Sequence, residues 1–266
     1  MSPSEAGGNP APDQVVPPSE PELRSYPQGF FIPAPGASQV LLIRHGQSAP
    51  YVSGRPFPLV DGHGDPELSD LGHYQADRVA SRLSSEPIGA IYVSTLTRTH
   101  QTAAPLAKTL GLEPQIEPDV REVFLGEAEG GLLREMFATD HPTAQALRAS
   151  REWGVIPGAE SNAQFGQRTV GAVSRIAERH RDEMVAVFCH GGVIAAVLQF
   201  AAGSGPGTFF GARHTSVNHL VIQEAELGDD LAEVGAEDGV ESERHWIIRC
   251  FNDAAHAGGL TGDHLP

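Results

Sequence analysis

The chain has 266 residues, with 34 acidic side chains against 18 basic ones and a formal charge of -16. That balance excludes passive binding to nucleic acid, whose phosphates attract Lys and Arg, so any phosphate-binding site must be a local basic spot in an acidic protein. Cys189 and Cys250 are the only cysteines and cannot form a disulfide framework. No apolar run approaches the ~20 residues of a membrane helix, and no basic stretch followed by an apolar one marks a secretory leader. The expectation is a soluble cytoplasmic protein that engages no membrane.

Residues 1–38 hold nine prolines and few helix or strand formers, which predicts a disordered arm. The ordered part begins at Gln39–Ile43, a continuous apolar run of the kind that forms a buried strand. It breaks at Arg44-His45-Gly46. Residues 69–84 read as a helix, with Ser69 as N-cap and Ala76, Val79, Ala80 and Leu83 at helical spacing. Ile88–Val93 reads as a second strand, and Thr97–Leu110 as a helix closed by Gly111, with Pro105 inside it. Gln115–Glu117 is a short strand.

Residues 126–158 are the least regular stretch: a helix around Leu132–Thr139, another from Pro142, and the aspect of an excursion over one end of the sheet. Ser161–His180 is a long amphipathic helix with Phe165, Val170, Val173, Ile176 and Ala177 near one face. Met184–Cys189 is a buried strand, and Gly191 opens a helix running to Ala202. Val217–Gln223 and His245–Phe251 read as strands, paired as a hairpin. Between them, residues 224–243 contain nine acidic side chains and no basic one, which predicts a solvated loop. The domain is thus expected over 39–253, with 254–266 as a flexible tail. Alternation of strands and helices predicts an α/β fold, a three-layer α/β/α sandwich around a mostly parallel central sheet.

Three chemically suggestive spots share one topological position. Arg44-His45 follows the first strand, Arg98 follows the strand ending at Val93, and His190 follows Cys189. Ligands in open α/β sheets bind beyond the carboxyl ends of strands. Arginine presents a planar fork that matches phosphate oxygens in pairs, and a histidine with a free ring nitrogen can attack phosphorus. Gly191 and Gly192, opening a helix, add backbone donors. Glu122, after the short third strand, is the carboxylate best placed by order to act as acid. His63, His214 and His219 fit no metal-ligand spacing and read as ordinary loop and strand histidines.

Six segments in this order resemble the histidine phosphatase superfamily, in its phosphoglycerate mutase-like branch. They are Leu42-Ile43-Arg44-His45-Gly46-Gln47-Ser48, Leu68 to Ala76, Ser94 to Ala103, Arg121 to Gly130, Pro157-Gly158-Ala159-Glu160-Ser161 and His190 to Ile194. The likeness covers roughly residues 39–222. It implies a phosphomonoesterase acting on a small phosphorylated metabolite, with His45 as nucleophile forming a phosphohistidine. Arg44, Arg98 and His190 would hold the phosphoryl oxygens, and Glu122 would protonate the leaving oxygen. Gln47, Ser48, Gly191 and Asn218 would join the substrate contacts. No metal or other cofactor is implied, since the arginines neutralise the charge.

Two departures stand out. Ala128 replaces the family's usual Trp, which reshapes the pocket wall, and Cys189 stands where Ser or Thr is usual. Cys189 and His190 are adjacent on a strand, so their side chains diverge and make no nucleophilic dyad. Two other readings remain. A mutase would return the phosphoryl group to its substrate, but Val123-Phe124-Leu125-Gly126 lacks the His-Tyr pair usual in mutases. A catalytically silent interaction module would be expected to have lost one of the five residues named. The oligomeric state stays open, a homodimer included.

Overall fold

The computed structural model describes residues 28–224 and 244–258. The chain separates into two units, Met1–Ile32 and Pro33–Pro266. Of the first, residues 28–32 are described and carry neither helix nor strand. The rest of the arm expected over 1–38 up to residue 27, the acidic stretch 225–243 and the tail residues 259–266 lie outside the described residues.

In chain order the second unit runs β1 (Ser38–Arg44), β2 (Leu59–Val60), β3 (His63–Gly64), α1 (Asp70–Leu83), β4 (Ile88–Val93), α2 (Thr97–Leu110) and β5 (Gln115–Ile116). It continues through α3 (Leu132–Ala138), α4 (Pro142–Ser150), α5 (Asn162–Arg179), β6 (Met184–Cys189), α6 (Gly191–Ala201), β7 (Val217–Glu224) and β8 (Arg244–Asp253). Six strands form one sheet in the order β5-β4-β6-β1-β7-β8. β5, β4, β6 and β1 are parallel, while β7 runs antiparallel to β1 and pairs with β8 as an antiparallel ribbon.

The period of two along each central strand sorts side chains between two cores. Val40, Leu42, Val185, Val187 and Cys189 face Phe165, Val173, Ile176, Val193 and Leu198 from α5 and α6. Leu41, Ile43, Ile91, Val93 and Phe188 face Val79, Leu83, Ala103 and Leu106 from α1 and α2. Helices therefore cover both faces of β1, β4 and β6, which explains why these strands are apolar without alternation. Side chains hold the helix ends. The Ser69 hydroxyl accepts from the Gly72 N–H at 3.2 Å, Ser161 and Gln164 form a capping box on α5, and Gly111 closes α2 in the left-handed region at φ 68°. α2 runs through Pro105 without ending.

The ends of the expected domain differ in detail. Residues 33–37, expected in the arm, are tied to the sheet: Ala34 N–H donates to Gln223 Oε1 at 3.3 Å, and Asp182 N–H to Ala37 O at 2.8 Å. At the other end, the first residues of the expected tail form a 3-10 turn, Ala255–Ala257, with His256 buried. Arg78 of α1 donates to His256 O at 3.0 Å, and Arg82 pairs with Asp253 at 2.5 Å. The antiparallel return of β8 delivers this segment to the flank of α1. The β2–β3 hairpin has no counterpart in the sequence reading, since two-residue strands are too short for a periodic signal. Among the described residues no helix is long and apolar enough to cross a membrane.

Candidate active site

The central order β4-β6-β1 brings three strand exits together. β1 delivers Arg44 and His45, β6 delivers His190, and the turn after β4 delivers Arg98 in the first turn of α2. The rings of His45 and His190 lie 5.2 Å apart between centroids, tilted by 57°. His45 Nδ1 is 2.7 Å from Gly46 O. A carbonyl only accepts, so Nδ1 carries the proton and Nε2 keeps its lone pair. The backbone around His45 is pinned from three sides: His45 N–H donates to Cys189 O at 3.0 Å, Gly46 N–H to Thr102 Oγ1 at 3.0 Å, and Thr215 N–H to Arg44 O at 3.0 Å. His190 Nε2 lies 2.9 Å from Ser94 Oγ. Its Nδ1 is buried with no partner among the described residues, and as an N–H donor it suits a phosphoryl oxygen.

Two arginines face this pair of rings. Arg98 donates to Gly64 O at 3.1 Å and lies 3.8 Å from Asp65 Oδ1. Asp65 also accepts from Thr97 N–H at 2.8 Å and from the Thr97 hydroxyl at 2.6 Å, capping α2 from outside the helix. The β2–β3 hairpin is thereby a buttress for Arg98. Arg44 donates to Ala212 O and lies against the start of α6 at Gly191.

Glu122 sits at the N-terminus of α6. Its Oε2 accepts from Gly192 N–H at 3.2 Å and its Oε1 from Val123 N–H at 3.0 Å. A Cβ on residue 192 would run into this carboxylate, so the close approach requires Gly192. The loop carrying Glu122 is gripped by Arg168 of α5, which donates to the carbonyls of Asp119, Arg121 and Glu122 at 2.8, 2.9 and 2.9 Å. Glu160 holds Arg168 in turn with two parallel bonds of 2.7 and 2.8 Å. Glu160 also accepts from Phe124 N–H at 3.2 Å.

Burial dominates the electrostatics. It pushes His45 and His190 well below the ordinary histidine range, and the positive charges of Arg98 and Arg44 push the same way. His214, 5.9 Å from the His45 ring, is lowered to about 3 by burial and then by Arg44 and Arg134. All three rings are therefore neutral at neutral pH, as a nucleophilic imidazole requires. Burial also lowers Arg98 to about 10, which still leaves it charged. Burial holds the Cys189 thiol up, the negative charge of Glu122 adds to the effect, and Cys189 packs in the core beneath α5 and α6. It takes no part in the cluster.

Of the residues expected at a site, His45, His190, Arg44, Arg98, Gly191 and Glu122 come together. Ser48 stands at the edge, its hydroxyl accepting from Arg134 at 2.8 Å. Gln47 accepts from the Ser69 hydroxyl at 3.0 Å and so anchors the start of α1. Asn218 does not join the cluster. It is wholly buried in β7, donates to Leu42 O at 2.9 Å and accepts from Asn252 N–H at 2.8 Å, which ties three strands together.

Three residues of the site had no signal in the sequence. Arg134 of α3 reaches across to Ser48 and to Ala49 O at 2.8 Å. His214 precedes β7, and only the pairing of β7 with β1 brings it beside His45. Arg168 lies in α5, and its partner Glu160 lies in the loop before that helix, so helical spacing does not relate the two. Among the described residues, no three His, Cys, Asp or Glu side chains gather in a way that could hold a metal ion.

The profile of the histidine phosphatase superfamily (branch 1) matches residues 40–228. The metal-independent phosphoserine phosphatase of Arabidopsis thaliana is 30% identical over 241 residues, covering 86% of this chain and 90% of the relative. Phosphoglycerate mutase-like protein 4 of the same plant is 35% identical over 170 residues, 63% of this chain and 72% of the relative. Among solved structures, a mycobacterial glucosyl-3-phosphoglycerate phosphatase superposes with a TM-score of 0.62 at 25% identity, over 81% of this chain and 99% of the other. The chain belongs to the histidine phosphatase superfamily, branch 1, and is a phosphoric monoester hydrolase of that family.

Proposed function

We propose that the protein hydrolyses a small phosphorylated metabolite through a phosphohistidine on His45, without a metal ion. The observation that carries this is the bond from His45 Nδ1 to Gly46 O, which leaves Nε2 as a nucleophile with Arg44, Arg98 and His190 as its neighbours. Nε2 attacks phosphorus as the bond to the ester oxygen breaks, and Glu122, in its protonated form, delivers a proton to that oxygen. Water then attacks the phosphorus of the phosphohistidine, Glu122 takes a proton from it, and inorganic phosphate leaves as Nε2 is restored. Arg44 and Arg98 offset the charge on the equatorial oxygens, and His190 and the N-terminus of α6 add neutral donors.

A phosphatase and a phosphoglycerate mutase-like protein both stand among the relatives. Phe124 and Leu125, at the positions where mutases carry His-Tyr, favour hydrolysis, since neither side chain can hydrogen-bond a second phosphate or a carboxylate. The test is release of inorganic phosphate from a panel of phosphomonoesters in the presence of EDTA, with His45→Ala beside the wild type. Activity that survives EDTA and falls by at least ~10⁴-fold in the variant, as for loss of a nucleophile, supports the proposal. Equal activity in both proteins overturns it. Conversion of 3-phosphoglycerate to 2-phosphoglycerate without phosphate release selects the mutase instead.

A further inference from the structure

A chamber of about 540 Å³ opens beside the histidine cluster, with Arg44, Glu122 and Gly192 on its inner side. Its walls are mostly apolar: Phe137 of α3, Trp153, Phe165 of α5 and Phe210, with Ala195 and Ala196 of α6 as a floor. Clefts of about 300–1,000 Å³ take ligands well beyond the size of a serine, so this volume exceeds what the smallest phosphate esters need.

The polar groups around the chamber are largely engaged with the protein itself. Arg148 is ion-paired with Asp140 at 2.6 Å, and Arg151 donates to Pro206 O at 3.2 Å. Asn162 donates to Arg151 O at 2.8 Å and accepts from Trp153 N–H at 3.2 Å. A ligand body in the chamber therefore meets aromatic side chains and the small side chains of α6. The inner end of the chamber at Glu122 fixes which part of a substrate lies there. Glu122 serves the oxygen that departs, so the chamber receives the departing alcohol and not the phosphoryl group.

We propose that this chamber selects phosphomonoesters of alcohols that carry a flat, apolar, ring-sized body, in preference to esters of small polar alcohols. The inference rests on the phosphatase reading above and specifies its substrate class. Ala195 and Ala196 make it possible, because a larger side chain at either position would occupy the floor. Gln199, one turn beyond Ala195 on the same helix face, supplies a polar group at the rim.

The test uses three esters that all release a primary alcohol, with ethyl and naphthylethyl phosphate matched in leaving-group acidity: ethyl phosphate, O-phosphoserine and 2-(1-naphthyl)ethyl phosphate. The expected result is a kcat/KM for the naphthyl ester at least tenfold above both others. Ala196→Phe should collapse the naphthyl-to-ethyl ratio towards one. Trp153→Ala, which removes a wall without adding bulk, should lower the same ratio and serves if the first variant does not fold. Turnover that depends on His45 but shows no preference for the naphthyl ester overturns this proposal and leaves the phosphatase reading standing. If no ester is turned over, the phosphatase reading fails. The dissociation constants of 2-(1-naphthyl)ethylphosphonate and ethylphosphonate then decide the chamber: tenfold tighter binding of the first sustains it, and equal binding overturns it.

Discussion

Arg44, His45 and His190 stand at the ends of strands paired on both sides within a six-stranded sheet. Arg134, Phe137 and Trp153 stand on an excursion whose own core has three fully buried residues, Ala128, Leu147 and Ile156. α3 contains no buried residue at all. The first region holds reacting groups in place mainly through the backbone bonds of the sheet. The second is held by packing and by a few polar ties at its base, such as Glu129, which accepts from Gly64 N–H at 2.7 Å and Leu125 N–H at 2.9 Å. Chemistry that tolerates little misplacement sits on the rigid part, and contacts that choose a substrate sit on the part that sequence change can reshape. Ala128 illustrates this. It lies wholly buried under the excursion, and the tryptophan on the chamber wall comes from position 153 instead.

The comparison can be broken most forcefully at Glu122, which is bonded to the start of α6 and lines the chamber that the excursion walls. Glu122→Gln keeps the shape and one of the two bonds from Gly192 and Val123, since its amide nitrogen cannot accept, and it cannot deliver a proton. It should lower kcat by about 10²–10⁴-fold, the usual contribution of a general acid, with KM little changed. The effect should shrink for esters of acidic phenols, whose oxygen leaves without a proton. An unchanged kcat on alkyl esters would remove Glu122 from the mechanism.

Arg168 is the next largest. It touches neither ring and acts by positioning the Glu122 loop. Arg168→Ala should reduce kcat by up to about 10²-fold, the order expected when a reacting group is displaced by an ångström. Arg168→Lys should restore little of that kcat, since a lysine cannot form the paired bonds to Glu160. A loss confined to thermal stability, with kcat intact, would reduce Arg168 to a structural tie.

A smaller change is expected at Arg134, whose guanidinium also lies 5.1 Å over the Phe57 ring. Arg134→Ala should raise KM and weaken inhibition by inorganic phosphate several-fold, with kcat less affected. The opposite split, kcat falling at constant KM, would move Arg134 from binding into the transition state.

The smallest effect concerns stability alone. His214 is lowered from 6.5 to about 3 in the folded protein. Between those values the unfolded chain binds a proton on this ring and the folded chain does not, so stability falls as the pH drops from 6.5. The slope from one such histidine is at most about 1.4 kcal/mol per pH unit. His45 and His190 contribute in the same direction. His214→Asn should therefore flatten the loss of melting temperature between pH 6.5 and 5, measured by calorimetry. A slope identical to wild type would contradict a buried neutral ring.

The sequence by itself determined the six strands of the main sheet, the helices and most of their ends, because these follow from short-range physics. Apolar periodicity, the caps at Ser69 and Ser161 and the stop at Gly111 all act within a few residues. It also carried the reacting residues: Arg44, His45 and His190 fall at the end of a strand or directly after one, Arg98 lies in the first turn of a helix, and Glu122 follows the short strand β5 in chain order. Tertiary structure alone decided that β6 lies between β4 and β1, which turns three separate strand exits into one cluster. It alone decided that Arg168 grips the Glu122 loop, that Arg134 and His214 reach the cluster, and that Asn218 ties strands instead of joining it. It alone opened a chamber between α6 and the excursion. These are encounters between segments tens to hundreds of residues apart, and no local preference encodes which of them meet.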